Sequence, residues 1–142
     1  MTTQELENLR KIGRLKAEPA TRAEFNGLVQ SARRRLGDAR NESLADESRF
    51  DLAYNAAHAL APAALRHKGY RSDNRYVVFQ TLAHTAGLDA AIWRVLARAH
   101  DLRNRAEYEG RTEVDARFLA DLLRCATALE TSVAGLEPPP NE

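Results

Sequence analysis

"ADESRFDLAYNAAHALAPAALRHKG", residues 45–69, decides the fold. Phe50, Ala53, Tyr54, Ala57, Ala61 and Leu65 recur at spacings of three and four, which places them on one face of a helix. The pattern predicts a long helix from about Ala45 to His67, ended by Gly69. Ala56, Ala57, Ala59, Ala61, Ala63 and Ala64 make it slender, so neighbouring helices can approach closely. It is therefore expected at the centre of a bundle. Pro62 lies inside it. Its missing N–H and its ring clash predict a bend or a split there.

The same periodicity runs outward in both directions. Upstream, Leu6, Leu9, Ile12 and Leu15 form a narrow stripe that predicts a helix from Thr3 to Lys16, broken by Pro19 and Ala20. "TRAE" (21–24) reads as a capping box, with Thr21 as N-cap and Glu24 three residues later. It opens a helix carrying Phe25, Leu28, Val29, Ala32 and Leu36, with its end near Gly37 and Asp38. Downstream, "RSDN" (71–74) offers Ser72 or Asp73 as an N-cap for a short helix with Val78, Phe79 and Leu82 that reaches Gly87. Asp89 caps a helix with Ile92, Val95, Leu96, Ala99, Leu102 and Ala106, ended by Gly110. Thr112 is expected to cap the last helix, whose inner face holds Phe118, Leu122, Cys125, Leu129 and Val133. Strand-like alternation is absent, and short connections favour antiparallel neighbours. The expectation is an all-α, up-and-down antiparallel helical bundle of about five to six helices. It forms one domain over 1–134, with a loose tail at 135–142.

Bulk properties narrow the classes. A net charge of +1 excludes a general polycation, so any contact with nucleic acid must come from a local patch. Of the 21 basic residues 18 are arginine, a bias that base composition of the gene explains as readily as phosphate recognition does. A lone cysteine, Cys125, permits no disulfide within the chain. No run approaches a membrane span and the first residues lack an apolar signal core, so a cytoplasmic protein without membrane contact is expected. No metal-binding or glycine-rich phosphate motif occurs, and no two histidines are three or four apart. No metal or cofactor is expected.

Polar residues stand beside the apolar stripes in two places. Leu96, His100, Arg103, Asn104 and Glu107 fall along one border of the penultimate helix, with Tyr108 one turn beyond Asn104. Asp51, Tyr54, Asn55 and His58 fall on one face of the central helix. If these faces meet, Asp51 or Asn55 can hold the Arg103 guanidinium with His58 close by. The bland account is a buried polar network that sets helix register; the functional one is a cleft for phosphate. Four further features have bland readings. His84 suits a helix C-terminus, and Arg33, Arg34, Arg35 and Arg40 suit a solvated flank. Trp93 has the spacing of a core or interface anchor, and Cys125 that of an inert core residue.

The central helix with its tyrosine, small residues and terminal "KG" is followed by a helix that ends in Arg-Asn plus an aromatic, "LRNRAEYEG" (102–110). Together they resemble HEPN domains, over roughly residues 20–134. The resemblance implies an all-helical homodimer in a toxin–antitoxin or defence setting, beside a nucleotidyltransferase-type partner. Ribonuclease members carry Arg, four to six residues, then His, and cleave RNA without metal. Arg103 and Asn104 match that motif, whereas its histidine position is occupied by Tyr108. Arg94 and His100 also satisfy the spacing, and His58 or His100 can supply an imidazole in space. Three functions follow. The favoured one is a non-catalytic or specialised HEPN-like binder of RNA, a nucleotide or a protein through the Arg103–Asn104 groove. The others are a metal-independent ribonuclease with a relocated histidine and a purely structural helical module. The resemblance also makes Tyr108 a candidate acceptor of a transferred nucleotide.

Overall fold

The computed structural model describes residues 2–110 and 114–139 and is an all-α bundle. Its helices are α1 (Thr2–Lys11), α2 (Arg22–Ala39), α3 (Asp46–His67), α4 (Arg75–Gln80), α5 (Leu82–Thr85), α6 (Ala90–Glu109) and α7 (Ala116–Ala134). Two two-residue strands, β1 (Lys16–Ala17) and β2 (Tyr70–Arg71), pair antiparallel.

The 22 residues of α3 form one helix about 33 Å long, with Pro62 inside it. The expected split does not occur. Pro62 leaves the His58 carbonyl without its usual intrahelical donor, but Leu60, Ala61, Ala63 and Ala64 around it are all fully buried. Packing on both sides holds the helix through the proline. Six of the ten buried residues of α3 are alanines, as its central place requires.

Contacts fix the directions of the long helices. Arg49 Nε, near the start of α3, donates to Ala39 O at the end of α2 (2.8 Å). Arg66, at the end of α3, meets Glu24 at the start of α2 (3.3 Å). Thus α2 and α3 are antiparallel. Phe50 packs on Phe118, and His67 Nε2 lies 2.8 Å from Glu137 O, so α3 and α7 run parallel. Arg33 and Arg40 both reach Glu130, at 3.5 and 3.7 Å, tying α2 across α7. The arginine run is therefore partly a clamp between helices and not only a solvated flank. Tyr54 meets His100, which fixes α6 against α3.

Local chemistry explains most boundaries. Thr21 and Glu24 make the reciprocal capping box. Asp89 accepts from Ile92 N, and Gly110 ends α6 in the left-handed conformation (φ 74°) that only glycine adopts without strain. Four expectations need correction. First, α1 stops at Lys11 because Gly13 turns the chain at φ 83°; Leu15 is buried from an extended segment, and Ile12 is left 71% exposed. Second, the cap before α4 is Asn74, accepting from Val77 N, and not Ser72 or Asp73. Third, the short helix ending near Gly87 is two pieces, α4 and α5, joined at Thr81. Fourth, the cap of α7 is Asp115, accepting from Arg117 N, whereas Thr112 lies outside the described residues. The early part of the tail is tied back, with Arg22 Nε donating to Pro139 O at 3.0 Å.

Because α3 is enclosed by its neighbours, Ala57→Leu should cost about 1–3 kcal/mol through overpacking. Urea unfolding measures this; an unchanged midpoint would show that α3 is not tightly enclosed.

Candidate functional site

Tyr54 is buried to 1% exposure, and a buried hydroxyl requires a hydrogen-bond partner. His100 of α6 supplies it, with 2.7 Å between Tyr54 Oη and His100 Nδ1. On its far side, His100 Nε2 lies 3.2 Å from Asn104 Nδ2, one turn along α6. With the amide N–H donating, Nε2 accepts, and Nδ1–H donates to the Tyr54 oxygen. The imidazole is thereby held as one neutral tautomer with Nε2 toward the exposed Asn104.

Arg103 lies over the Tyr54 ring, its guanidinium carbon 5.2 Å from the centroid. His58 packs on the same ring at 5.6 Å. Tyr54 therefore gathers His58 from its own helix and His100 and Arg103 from α6. The structure adds Arg75 of α4, which reading the sequence missed. Its charge acts on His58, His100 and Tyr54. Arg75 Nη1 is buried and has no hydrogen-bond partner among the described residues. No periodic signal marks Arg75, because α4 is six residues long and its position follows from packing on α6.

Electrostatics agree with this crowding of cations. Burial, with Arg75, Arg103 and His100 adding to it, pushes His58 down from 6.5 to about 4. Burial lowers His100 too; Asp101 opposes this, and Arg75 and Arg103 reinforce it. Both imidazoles are therefore neutral at pH 7. Asp51 is the nearby counter-charge on α3. Burial raises its pKa more than Arg103 lowers it, and Glu47 adds to the rise.

Asp51 does not hold Arg103. No ion pair within 4 Å joins them, and the Asn55 side chain makes no hydrogen bond among the described residues. Arg103 is half-buried against an aromatic ring and pairs with no carboxylate within 4 Å among the described residues. Glu107 and Tyr108 fall in the last turn of α6, but their side chains lie outside the described residues. Arg94, the arginine of the other spacing match, is exposed and lies 5.6 Å over Trp93. Cys125 is buried, and desolvation raises its pKa, as suits an inert thiol.

Two alternatives are weaker. An open pocket of about 900 Å³ lies between the α2 start and the tail, but its Arg66 is already paired with Glu18 and Glu24. Among the described residues no group of three or more His, Cys, Asp or Glu is placed to hold a metal. No helix there is long and apolar enough to cross a membrane.

The depressed His58 pKa has a direct consequence. Between about 4 and 6.5 the unfolded chain takes up a proton at His58 that the folded protein does not. Stability must fall as pH drops through that window. The melting temperature of His58→Asn should lose less than wild type between pH 7.5 and 4.5; equal losses would refute the assignment.

Compared with known proteins, the chain matches no family model, no curated protein and no solved structure.

Proposed function

We propose that the cluster of Arg75, Arg103, His100 and Asn104 is a phosphate-binding groove, and that the protein binds RNA or a nucleotide there as a HEPN-like, non-catalytic or specialised module. The buried, unpartnered Nη1 of Arg75 carries this reading. An unsatisfied N–H on a buried cation is costly unless a ligand completes it. A phosphate oxygen is the natural acceptor, since guanidinium geometry matches it. Arg103, half-buried over Tyr54, offers a second guanidinium, and the exposed Asn104 amide offers a further donor. A purely structural network would instead pair these arginines with carboxylates, and Asp51 makes no such pair.

Cleavage is the second reading, and His100 is the observation that favours it. Its neutral imidazole, oriented by Tyr54 and Asn104, stands one turn before Arg103 on the same helix. Such a group can act as base on a ribose hydroxyl while an arginine stabilises the phosphorane. Tyr108 replaces the histidine of the family motif, so His100 would be the relocated imidazole.

Two experiments separate these readings. Arg75→Met removes a half-buried cation whose Nη1 has no partner among the described residues, so it should unfold at or above the wild-type urea midpoint. It should also bind labelled RNA about tenfold or more weakly, the worth of one charged hydrogen bond. A large loss of stability with unchanged binding would return Arg75 to a structural role. Incubation of RNA in EDTA with wild type, Arg103→Ala and His100→Ala tests cleavage. Products from wild type alone establish the ribonuclease, and intact RNA at high protein excess leaves binding.

A further inference from the structure

We propose that Tyr76, braced by Trp93, is a stacking platform for a base next to the bound phosphate, so that the ligand is single-stranded RNA and not a free nucleotide or a duplex. This rests on the phosphate-groove reading above. Among the described residues Tyr76 is the most exposed aromatic, at 50% on a helix whose other apolar residues, Val77, Val78 and Phe79, are buried. Its ring stands edge-on to Trp93, with centroids 6.0 Å apart and planes at 87°. Arg94 lies over the Trp93 ring and has no carboxylate within 4 Å among the described residues. A rigid, exposed ring flanked by an uncommitted cation is what sequence-tolerant binding of unpaired bases uses.

Position ties the platform to the groove. Tyr76 directly follows Arg75. Trp93 and His100 lie seven residues apart on α6, two turns along the same face, or about 10 Å. Tyr76 meets Trp93 across the seam between α4 and α6, and Arg75, its neighbour in α4, stands near enough to His100 for its charge to act there. A strand with its phosphate at Arg75 and Arg103 can lay a neighbouring base on Tyr76. A duplex cannot, because its bases are already stacked on each other. The charge beside Trp93 suits a nucleic acid better than a second copy of this chain, whose matching patch would bring arginine against arginine.

The test uses the full chain, a fluorescein-labelled oligo(A) at fixed salt, and inorganic phosphate as a probe of the groove alone. Trp93 is the only tryptophan, so its fluorescence reports on the platform. Oligo(A) should quench it and phosphate should not. Tyr76→Ala should weaken oligo(A) binding about 5- to 150-fold, the worth of one stacked base. Tyr76→Phe should restore it, and both variants should bind phosphate as wild type does. Unchanged oligo(A) affinity in Tyr76→Ala, with loss in Arg75→Met, overturns the platform and leaves the groove standing. Failure of wild type to bind either probe overturns both. A Tyr76→Ala protein that changes only its mass by light scattering makes the patch a contact between copies and overturns the proposal.

Discussion

The arrangement depends on one buried hydroxyl. Tyr54 sits in the middle of α3 with its ring among Phe50, Phe79, His58 and His100, where bare apolar packing would favour a phenylalanine. Its oxygen has to be hydrogen-bonded, and the partner is an imidazole on α6. That bond sets the register of α6 on α3. It also brings Arg103, three residues beyond His100, over the face of the same ring. The polar cluster is therefore a consequence of how α3 and α6 dock and not an addition to a finished core.

The alanine-rich character of α3 makes that docking possible. Ala53, Ala56 and Ala57 are fully buried around Tyr54. Their small side chains let α2, α6 and α7 come near, and they leave room for the larger Tyr54, His58 and Arg103. Little of this part of α3 is polar besides Asp51, Asn55 and His58; the Arg103 guanidinium meets the Tyr54 ring, and Arg75 Nη1 is buried without a partner among the described residues. Cations held by aromatic faces keep their N–H groups available for an outside acceptor. Cations held by carboxylates, such as Arg66 between Glu18 and Glu24, do not. This contrast separates the cluster from the ordinary surface pairs elsewhere on the bundle.

The sequence resemblance to HEPN domains and the geometry of the cluster share Arg103 and Asn104. The first rests on Arg103, Asn104 and the helix that carries them. The second adds Arg75 and His58, which lie outside that motif, and His100. His58, His100 and Arg103 gather around Tyr54, and the charge of Arg75 reaches them from α4. Both imidazoles of that cluster are held below their ordinary pKa by burial.

What the sequence by itself determined is the long helices and their inner faces, and the caps at Thr21 and Asp89. Spacing of three and four, the Thr21–Glu24 box, Asp89 and Gly110 are local signals, and local hydrogen bonding decides them. It also brought Asp51, Tyr54 and His58 onto one face and His100, Arg103 and Asn104 onto another, because helical periodicity needs no partner. Only the tertiary structure decided how those faces meet. Helical spacing leaves Asp51 or Asn55 as the partner of Arg103 if the faces meet; in the fold Asp51 stays exposed, and Arg103 lies over the Tyr54 ring whose hydroxyl meets His100. Arg75 and Tyr76 were invisible for a related reason. A helix of six residues has too few turns to show a face, and its place comes wholly from packing against α6. The end of α1 was misread because Leu15 continued a helical spacing that Gly13 had already broken. Long-range burial, and not local spacing, decided where that leucine went.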